Sequence, residues 1–175
     1  NPSYSNPETA STATTNRVIT FSISGLNPNT QYYYECEVDG VIDIAHAGRF
    51  HTSPQNEATF TFALASCALT GSNHTVFETI RQNNPLFFFH MGDFHYQNIG
   101  INDRNLFRSA YETVLSSPNQ ARLYRDVPIA YVWDDHDYGP NNSDSTAPGR
   151  SAARLTYREY VPHHPLAAGD GDAPI

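Results

Sequence analysis

Three short apolar segments in the second half of the chain constrain its fold more than any other feature. They cover residues 59–65, 86–91 and 128–133, and each has the length of one buried strand. Segments with helical patterning lie between and after them. A chain that alternates strand and helix in this way folds into a mostly parallel sheet joined by crossover helices. The sequence therefore predicts a partial α/β core.

The helical segments are recognised by the spacing of their apolar residues. Residues 73–82 carry Val76, Phe77 and Ile80 at helical spacing, and residues 102–115 present one apolar face behind Asp103, a residue suited to begin a helix. A short helix is predicted after Pro118, and a last one over residues 148–160.

The first 55 residues have a different pattern. Residues 1–16 show no periodicity and are predicted to be a loop, whereas residues 17–23 alternate apolar and polar side chains as a strand does. Residues 31–38 and 49–52 are two further predicted strands, and Asp39-Gly40 is a hairpin-type turn. The sequence therefore divides into an all-β segment, residues 1–55, and an α/β segment, residues 56–175.

Composition excludes several classes of protein. The net charge is −8 and all ten cationic residues are Arg, without a basic run, so neither nucleic acid nor anionic lipid is an expected partner. No apolar run approaches the roughly 18 residues of a membrane span, and the first residues do not resemble a signal peptide. Either a leader was removed or the chain begins within a longer protein. Cys36 and Cys67 could form one disulfide, and spacing alone favours neither pairing nor free thiols.

Polar side chains that bind metals follow all three predicted α/β strands. Cys67 follows the first, Asp93, His95 and Tyr96 follow the second, and residues 134–142 follow the third. Ligands of open α/β sheets collect at the carboxyl ends of the strands, so these side chains are expected to meet at one edge. Each alone has an ordinary explanation, such as a turn, a helix cap or packing in the core. Their shared position favours a metal site.

The Asp134-Asp135-His136-Asp137 run is the strongest single signal. Three carboxylates around one His repel one another unless a cation neutralises them, although a solvated acidic loop is the alternative. Carboxylate and amide oxygens suit Ca²⁺, Mg²⁺ or Mn²⁺, whereas thiolate and phenolate suit a ferric ion. A set that contains both kinds of ligand indicates a site with more than one metal. Such a site is able to bind both the attacking and the leaving oxygen of a phosphate ester.

Three blocks, residues 62–67, 90–96 and 132–144, resemble the PhoD-like (alkaline phosphatase D) family of metallophosphoesterases. Residues 25–34 and 48–52 resemble the back half of the fibronectin type III-like sandwich that precedes the catalytic domain in that family. The resemblance runs from about residue 25 to residue 165 and implies an N-terminal half of the metallophosphoesterase domain.

The resemblance also implies roles for individual residues. Cys67 and Tyr96 are similar to the family's ferric-ion ligands, and Asp93 to the carboxylate that bridges the metals. If Cys67 binds iron, it is not paired with Cys36.

The third block supplies the remaining implied roles. Asp135 is expected to bind a metal, and His136 to contact the substrate and assist the leaving group. Of Asn141 and Asn142, we favour Asn142 as the amide ligand. The implied cofactors are Fe³⁺ and Ca²⁺, or another divalent ion such as Mn²⁺ or Mg²⁺.

Family members hydrolyse phosphate monoesters or diesters and are exported, so an extracellular or periplasmic phosphatase or phosphodiesterase is expected. Their later Asp and His ligands should lie beyond residue 175, and His163 and His164 are expected to be surface residues. A catalytically incomplete fragment is the alternative, acting as an extracellular structural subunit that self-associates through an exposed sandwich edge. A relative of purple acid phosphatases is a third reading, which the Ser66-Cys67 block and the acidic run disfavour.

Overall fold

A computed structural model of the protein describes residues 18–163. The predictions for residues 1–16, for His164 and for the residues after it lie outside this range. In chain order the elements are β1 (Gln31–Val38), β2 (Val41–His51), β3 (Ala63–Ala65), α1 (Val76–Gln82), β4 (Phe88–Met91), α2 (Arg104–Leu115), α3 (Pro118–Asp126), β5 (Ile129–Val132), α4 (Asp135–Tyr138) and α5 (Arg150–Tyr160). No described helix has the length and apolar character needed to cross a membrane.

β1 and β2 form an antiparallel hairpin around the predicted Asp39-Gly40 turn. Both turn residues have positive φ, 50° and 80°, which is the geometry that favours Asp-Gly in two-residue hairpin loops. The bounds of β1 agree with the sequence prediction. β2 begins eight residues earlier than the predicted strand at residue 49, because its first half pairs with the end of β1.

The hairpin begins at a tight corner. The backbone N–H of Asn27 donates to the hydroxyl of Tyr32 at 2.8 Å, and the hydroxyl of Thr30 donates to the carbonyl of Pro28 at 2.9 Å. The Tyr32 ring also stacks on Phe50, with 5.6 Å between centroids. Local contacts within residues 27–32 thus set the entry into β1.

Of two predictions for this region, the sandwich is not shown by the described residues, and the strand at residues 17–23 is wrong over residues 18–23. β1 and β2 form a two-stranded sheet, and no fibronectin-type sandwich is evident there. Residues 18–28 are not a strand, although Ile19, Phe21 and Ile23 alternate as the prediction required. These three side chains are exposed. An alternating segment becomes a strand only where its backbone finds a partner, and this segment pairs with no described strand.

The second sheet is parallel, in the order β3–β4–β5, as the alternation of strands and helices predicted. Its strands are shorter than the apolar segments that contain them. Ala65 lies beside His90, and His90 lies beside Tyr131, so the three carboxyl ends are level. This register brings the polar residues that follow the strands to one edge.

Helices cover one face of the parallel sheet. Phe88 packs there against Phe77 of α1, Leu123 of α3 and Val127, which follows α3. A neighbouring cluster joins Phe94 to Tyr111 and Val114 of α2. Asp103 caps the N-terminus of α2, where its carboxylate accepts the N–H of Asn105 at 2.9 Å, in agreement with the prediction.

The other face of the parallel sheet is apolar and exposed. Phe62, Leu64, Met91 and Val132 are 39–53% exposed, and the Phe62 ring stacks on Phe87 with 5.3 Å between centroids. The sequence predicted strands that are buried on both faces, and the described residues cover only one of them.

The hairpin contacts the α/β part through charged and polar groups. The Asp126 carboxylate lies 2.6 Å from the Arg81 guanidinium and 3.6 Å from that of Arg49 on β2. The Tyr34 hydroxyl donates to the carbonyl of Arg125 at 3.1 Å. Gly48 lies so close to these same groups that a Cβ would overlap them, which explains a glycine within β2.

Candidate metal centre

The ends of the three parallel strands are tied together by backbone contacts. The N–H of Cys67, which follows β3, donates to the carbonyl of Gly92 at 3.3 Å. The N–H groups of Asp93 and Asp134, which follow β4 and β5, both donate to one carboxylate oxygen of Asp137, at 2.8 and 2.9 Å. The predicted convergence of polar residues at this edge is therefore present.

Three of the predicted ligands have left-handed backbones. Cys67, Asp93 and Asn142 have φ values of 63°, 54° and 61°, in a region that residues other than glycine seldom occupy. Gly92 has a φ of 93°, and a Cβ on it would meet the Cβ of Asp134. The chain thus turns sharply after β3 and β4, and these turns bring the Sγ of Cys67 to 3.6 Å from Oδ2 of Asp93. Backbone strain of this kind is frequent at functional sites.

Asp93 is the centre of the arrangement. Its Oδ2 accepts the Tyr96 hydroxyl at 2.8 Å and lies 3.6 Å from the Sγ of Cys67. Its Oδ1 accepts the backbone N–H of His136 at 3.3 Å. One buried carboxylate therefore contacts a thiol, a phenol and the loop after β5.

Asp93, Asp135 and His136 each offer a ligand atom within 4.8 Å of the others. His136 is 6% exposed, and its Nδ1 has no hydrogen-bond partner among the described residues. Its ring packs against Tyr96, with 4.2 Å between centroids. The backbone N–H of Asn142 donates to Oδ2 of Asp135, which holds Asn142 beside this group.

The Tyr96 phenol is protonated in this environment. Burial raises its pKa, and the neighbouring Cys67 and Asp93 raise it further. Its hydroxyl therefore donates to Asp93, and a cation beside the oxygen would be needed to favour the phenolate.

The acidic run does not act as one group of ligands. Of its three carboxylates, only Asp135 belongs to the metal-capable group. Asp134 accepts the N–H of Asp135 at 2.9 Å and begins α4, and Asp137 is 1% exposed and accepts backbone N–H groups. The predicted repulsion among the three is avoided because each carboxylate faces different donors.

Sequence reasoning missed the part played by Asp137. Burial raises its pKa to about 7, while hydrogen bonds from the N–H of Asp134, the Tyr131 hydroxyl and the N–H of Phe94 lower it. The spacing of Asp134 and Asp137 matches a capping box, which is the signal in the sequence that could have separated these two residues from the ligands.

Two histidines near this edge are buried in the core. His95, considered as a possible ligand, is fully buried beside Phe107 and Tyr111, and burial lowers its pKa to about 4. His90 is 2% exposed and packs edge-on against Phe88. The exposed His163 is a surface residue, as predicted.

The donor set fits a hard or borderline cation. Carboxylates, an imidazole with a free nitrogen, a phenol and a thiol surround one point at the edge of the sheet. Cys36 and Cys67 are both free thiols, so Cys67 is available as a ligand.

One solved structure, described as the structure of PhoD, is similar to this chain. The TM-score is 0.70 and the sequence identity 24%, and the match covers 84% of this chain and 34% of PhoD. The chain thus spans about a third of the length of that protein. No protein-family model and no curated protein matches it. The described part of the chain therefore has the fold of one portion of PhoD.

Proposed function

We propose that this chain carries part of the active site of a metal-dependent hydrolase of phosphate monoesters or diesters. One observation carries the proposal: Asp93, Asp135 and His136 converge at the carboxyl edge of the parallel sheet, within 4.8 Å, on a fold similar to that of PhoD. Enzymes with open α/β sheets bind their ligands at this edge.

The contacts around Asp93 support a separate role for each residue. Cys67 and Tyr96 approach the same oxygen of Asp93, so a ferric ion there would have a thiolate, a phenolate and a carboxylate as ligands. The backbone N–H of Asn142 contacts Asp135, so these two residues lie together and would offer a carboxylate and an amide oxygen to a divalent ion, Ca²⁺ or else Mn²⁺ or Mg²⁺.

The metals would polarise the phosphate ester and supply hydroxide at neutral pH. The chain's own contribution is orientation. Asp93 accepts the N–H of His136 and so fixes the backbone that carries the imidazole. The ring of His136 is also held by Tyr96, and a proton carried by this imidazole would assist the leaving oxygen.

This proposal extends to the organisation of the protein. Residues 1–55 would be an all-β module and residues 56–175 the first half of the metallophosphoesterase domain, with further ligands supplied by sequence outside this chain. We further propose export to the periplasm or the extracellular space, where phosphate esters are the partners.

A second candidate is a structural subunit without catalysis. The observation that favours it is exposed apolar surface, both on the open face of the parallel sheet and on the hairpin, where Tyr33 and Ile44 are each 76% exposed. Such surfaces bind other chains. Sedimentation of the purified chain as a concentration-dependent oligomer, together with a lack of bound metal, would favour this candidate.

The test of the hydrolase is metal content by mass spectrometry with a visible absorption spectrum. We expect bound iron and a charge-transfer band that Cys67→Ser and Tyr96→Phe each abolish or shift. The matched controls are Cys36→Ser and Tyr33→Phe, which make the same chemical changes at exposed positions of the hairpin. The band should be unchanged in both controls. If the longest polypeptide that contains this sequence folds and binds no metal after incubation with Fe³⁺ and Mn²⁺, the proposal is refuted.

Hydrolysis of p-nitrophenyl phosphate and of bis-p-nitrophenyl phosphate separates monoesterase from diesterase activity. Because the chain spans 34% of PhoD, the assay requires the longest polypeptide that contains this sequence. His136→Ala in that protein should lower kcat by about a hundredfold or more, as expected for the loss of a general acid.

A further inference from the structure

Asp137 contacts both loops of the candidate metal centre without joining the group of ligands. Its Oδ2 accepts the backbone N–H of Asp93 at 2.8 Å and that of Asp134 at 2.9 Å, and its Oδ1 accepts the N–H of Phe94 at 2.7 Å. Asp93 and Phe94 follow β4, whereas Asp134 follows β5. One carboxylate therefore joins the ends of two neighbouring strands.

The turn that Asp137 contacts is one that the chain would not adopt readily. Asp93 has a left-handed backbone with a φ of 54°, directly after Gly92 with a φ of 93°. Residues other than glycine keep such a conformation only where the surroundings hold it. Two consecutive N–H groups, those of Asp93 and Phe94, point into the Asp137 carboxylate, and successive N–H groups of this kind bind an anion well.

The orientation of this turn decides where the Asp93 side chain points. With the turn held, the oxygens of Asp93 face Tyr96, Cys67 and the N–H of His136. A relaxed turn would move the carboxylate away from all three groups at once. Asp137 lies outside the metal-capable group, and its carboxylate instead accepts three backbone N–H groups and the Tyr131 hydroxyl.

We propose that Asp137 is a positioning residue, whose buried carboxylate fastens the Asp93 turn to the end of β5 and so holds Asp93 in place for metal binding. The metal role of Asp93 is taken from the proposed function, whereas the fastening itself rests on the contacts alone. Asp137 itself lies outside the metal-capable group, so this role is separate from metal ligation.

The experiment compares wild type with Asp137→Asn, which keeps the shape of the side chain but turns an NH₂ group toward backbone donors. Asp103→Asn is the matched control, because it makes the same change at the start of α2, where Asn also caps a helix well. Amide hydrogen exchange in the metal-free proteins measures how firmly Asp137 holds the Asp93 turn. Titration with Mn²⁺ alone measures whether this contact affects metal affinity.

In wild type, the amides of Asp93, Phe94 and Asp134 should exchange slowly. In Asp137→Asn we expect them to exchange at least about tenfold faster while the amide of Phe88 in β4 is unchanged, and we expect Mn²⁺ to bind about tenfold to a hundredfold more weakly. The control should match wild type in both measurements.

Fast exchange of the Asp93 and Phe94 amides in wild type would overturn the proposal without any variant. A uniform rise in exchange throughout Asp137→Asn would show a merely structural role, and unchanged Mn²⁺ affinity despite local opening would show that the fastening does not position the ligand. If Asp137→Asn does not fold, Asp137→Ser repeats the comparison with a smaller acceptor. Wild type that binds no Mn²⁺ refutes the metal site, and the exchange rates still decide whether Asp137 fastens the turn.

Discussion

The two faces of the parallel sheet are made from the same kinds of residue and have opposite surroundings. On one face, Phe88 is 2% exposed beneath α1 and α3, where it contacts Leu123. On the other, Phe62 and Leu64 are 48% and 53% exposed. Parallel sheets are ordinarily covered on both faces. An apolar segment therefore forms a strand within the sheet, but this alone does not bury both faces of the sheet. Burial of the second face requires another element that packs over it.

The comparison predicts very different costs for the same substitution on the two faces. Phe88→Ala should lower the free energy of unfolding by about 3–5 kcal/mol, because it leaves a cavity under the helices. Phe62→Ala should cost about 1 kcal/mol or less, because half of its ring is already exposed. Urea unfolding followed by circular dichroism measures both. Equal losses would show that the open face is covered in solution.

His90, a titratable residue on the covered face, makes the stability of the protein depend on pH. Burial lowers the pKa of His90 to about 4, and the nearby Asp93 raises it only in part. Between about pH 6.5 and pH 4 the unfolded chain therefore binds a proton that the folded chain does not, so stability falls as the pH is lowered. The shift corresponds to a loss of about 3 kcal/mol by pH 4.

His90→Phe should abolish that part of the loss, since an aromatic ring still packs against Phe88 and Tyr131. The measurement is the free energy of unfolding from urea at several pH values. His95, whose pKa burial also lowers to about 4, should keep a second contribution in the variant. His74→Gln, at an exposed position, is the control and should retain the full slope. An identical slope in His90→Phe would contradict the prediction.

The smallest effect on stability is expected from a charge on the open face. Leu64→Glu should change the free energy of unfolding by less than about 1 kcal/mol, yet it should reduce binding of a hydrophobic dye and any self-association. Leu155→Glu is the control, because Leu155 is 47% exposed on α5, away from the sheet. A large loss of stability in Leu64→Glu alone would show that something buries the open face.

The sequence predicted the parts of this fold that depend on local chemistry. The bounds of β1, the Asp39-Gly40 turn and the start of α2 at Asp103 agree with the structure, because turn and cap preferences act over a few residues. The positions of Cys67 and Asp93 at strand ends were also correct, because parallel strands place their carboxyl ends at one edge.

Other features were beyond prediction. The alternation of residues 17–23 is as regular as that of β1, but residues 18–28 form no strand because no described backbone pairs with them. The fibronectin type III-like sandwich that the resemblance implied would have required this segment to pair as a strand. In the acidic run, Asp135 and Asp137 have the same chemistry, and their neighbours alone decide which of them faces the other ligands.

The sequence by itself determined which residues begin and end the hairpin and the helices, and which polar side chains follow each parallel strand. Only the tertiary structure decided that one face of the sheet is open, that Asp93 lies between Cys67, Tyr96 and His136, and that Asp137 binds backbone instead of joining the ligands. The physical reason is that local preferences act through neighbouring residues in the chain. The direction of a side chain at a strand end depends on turns held by groups more than forty residues away.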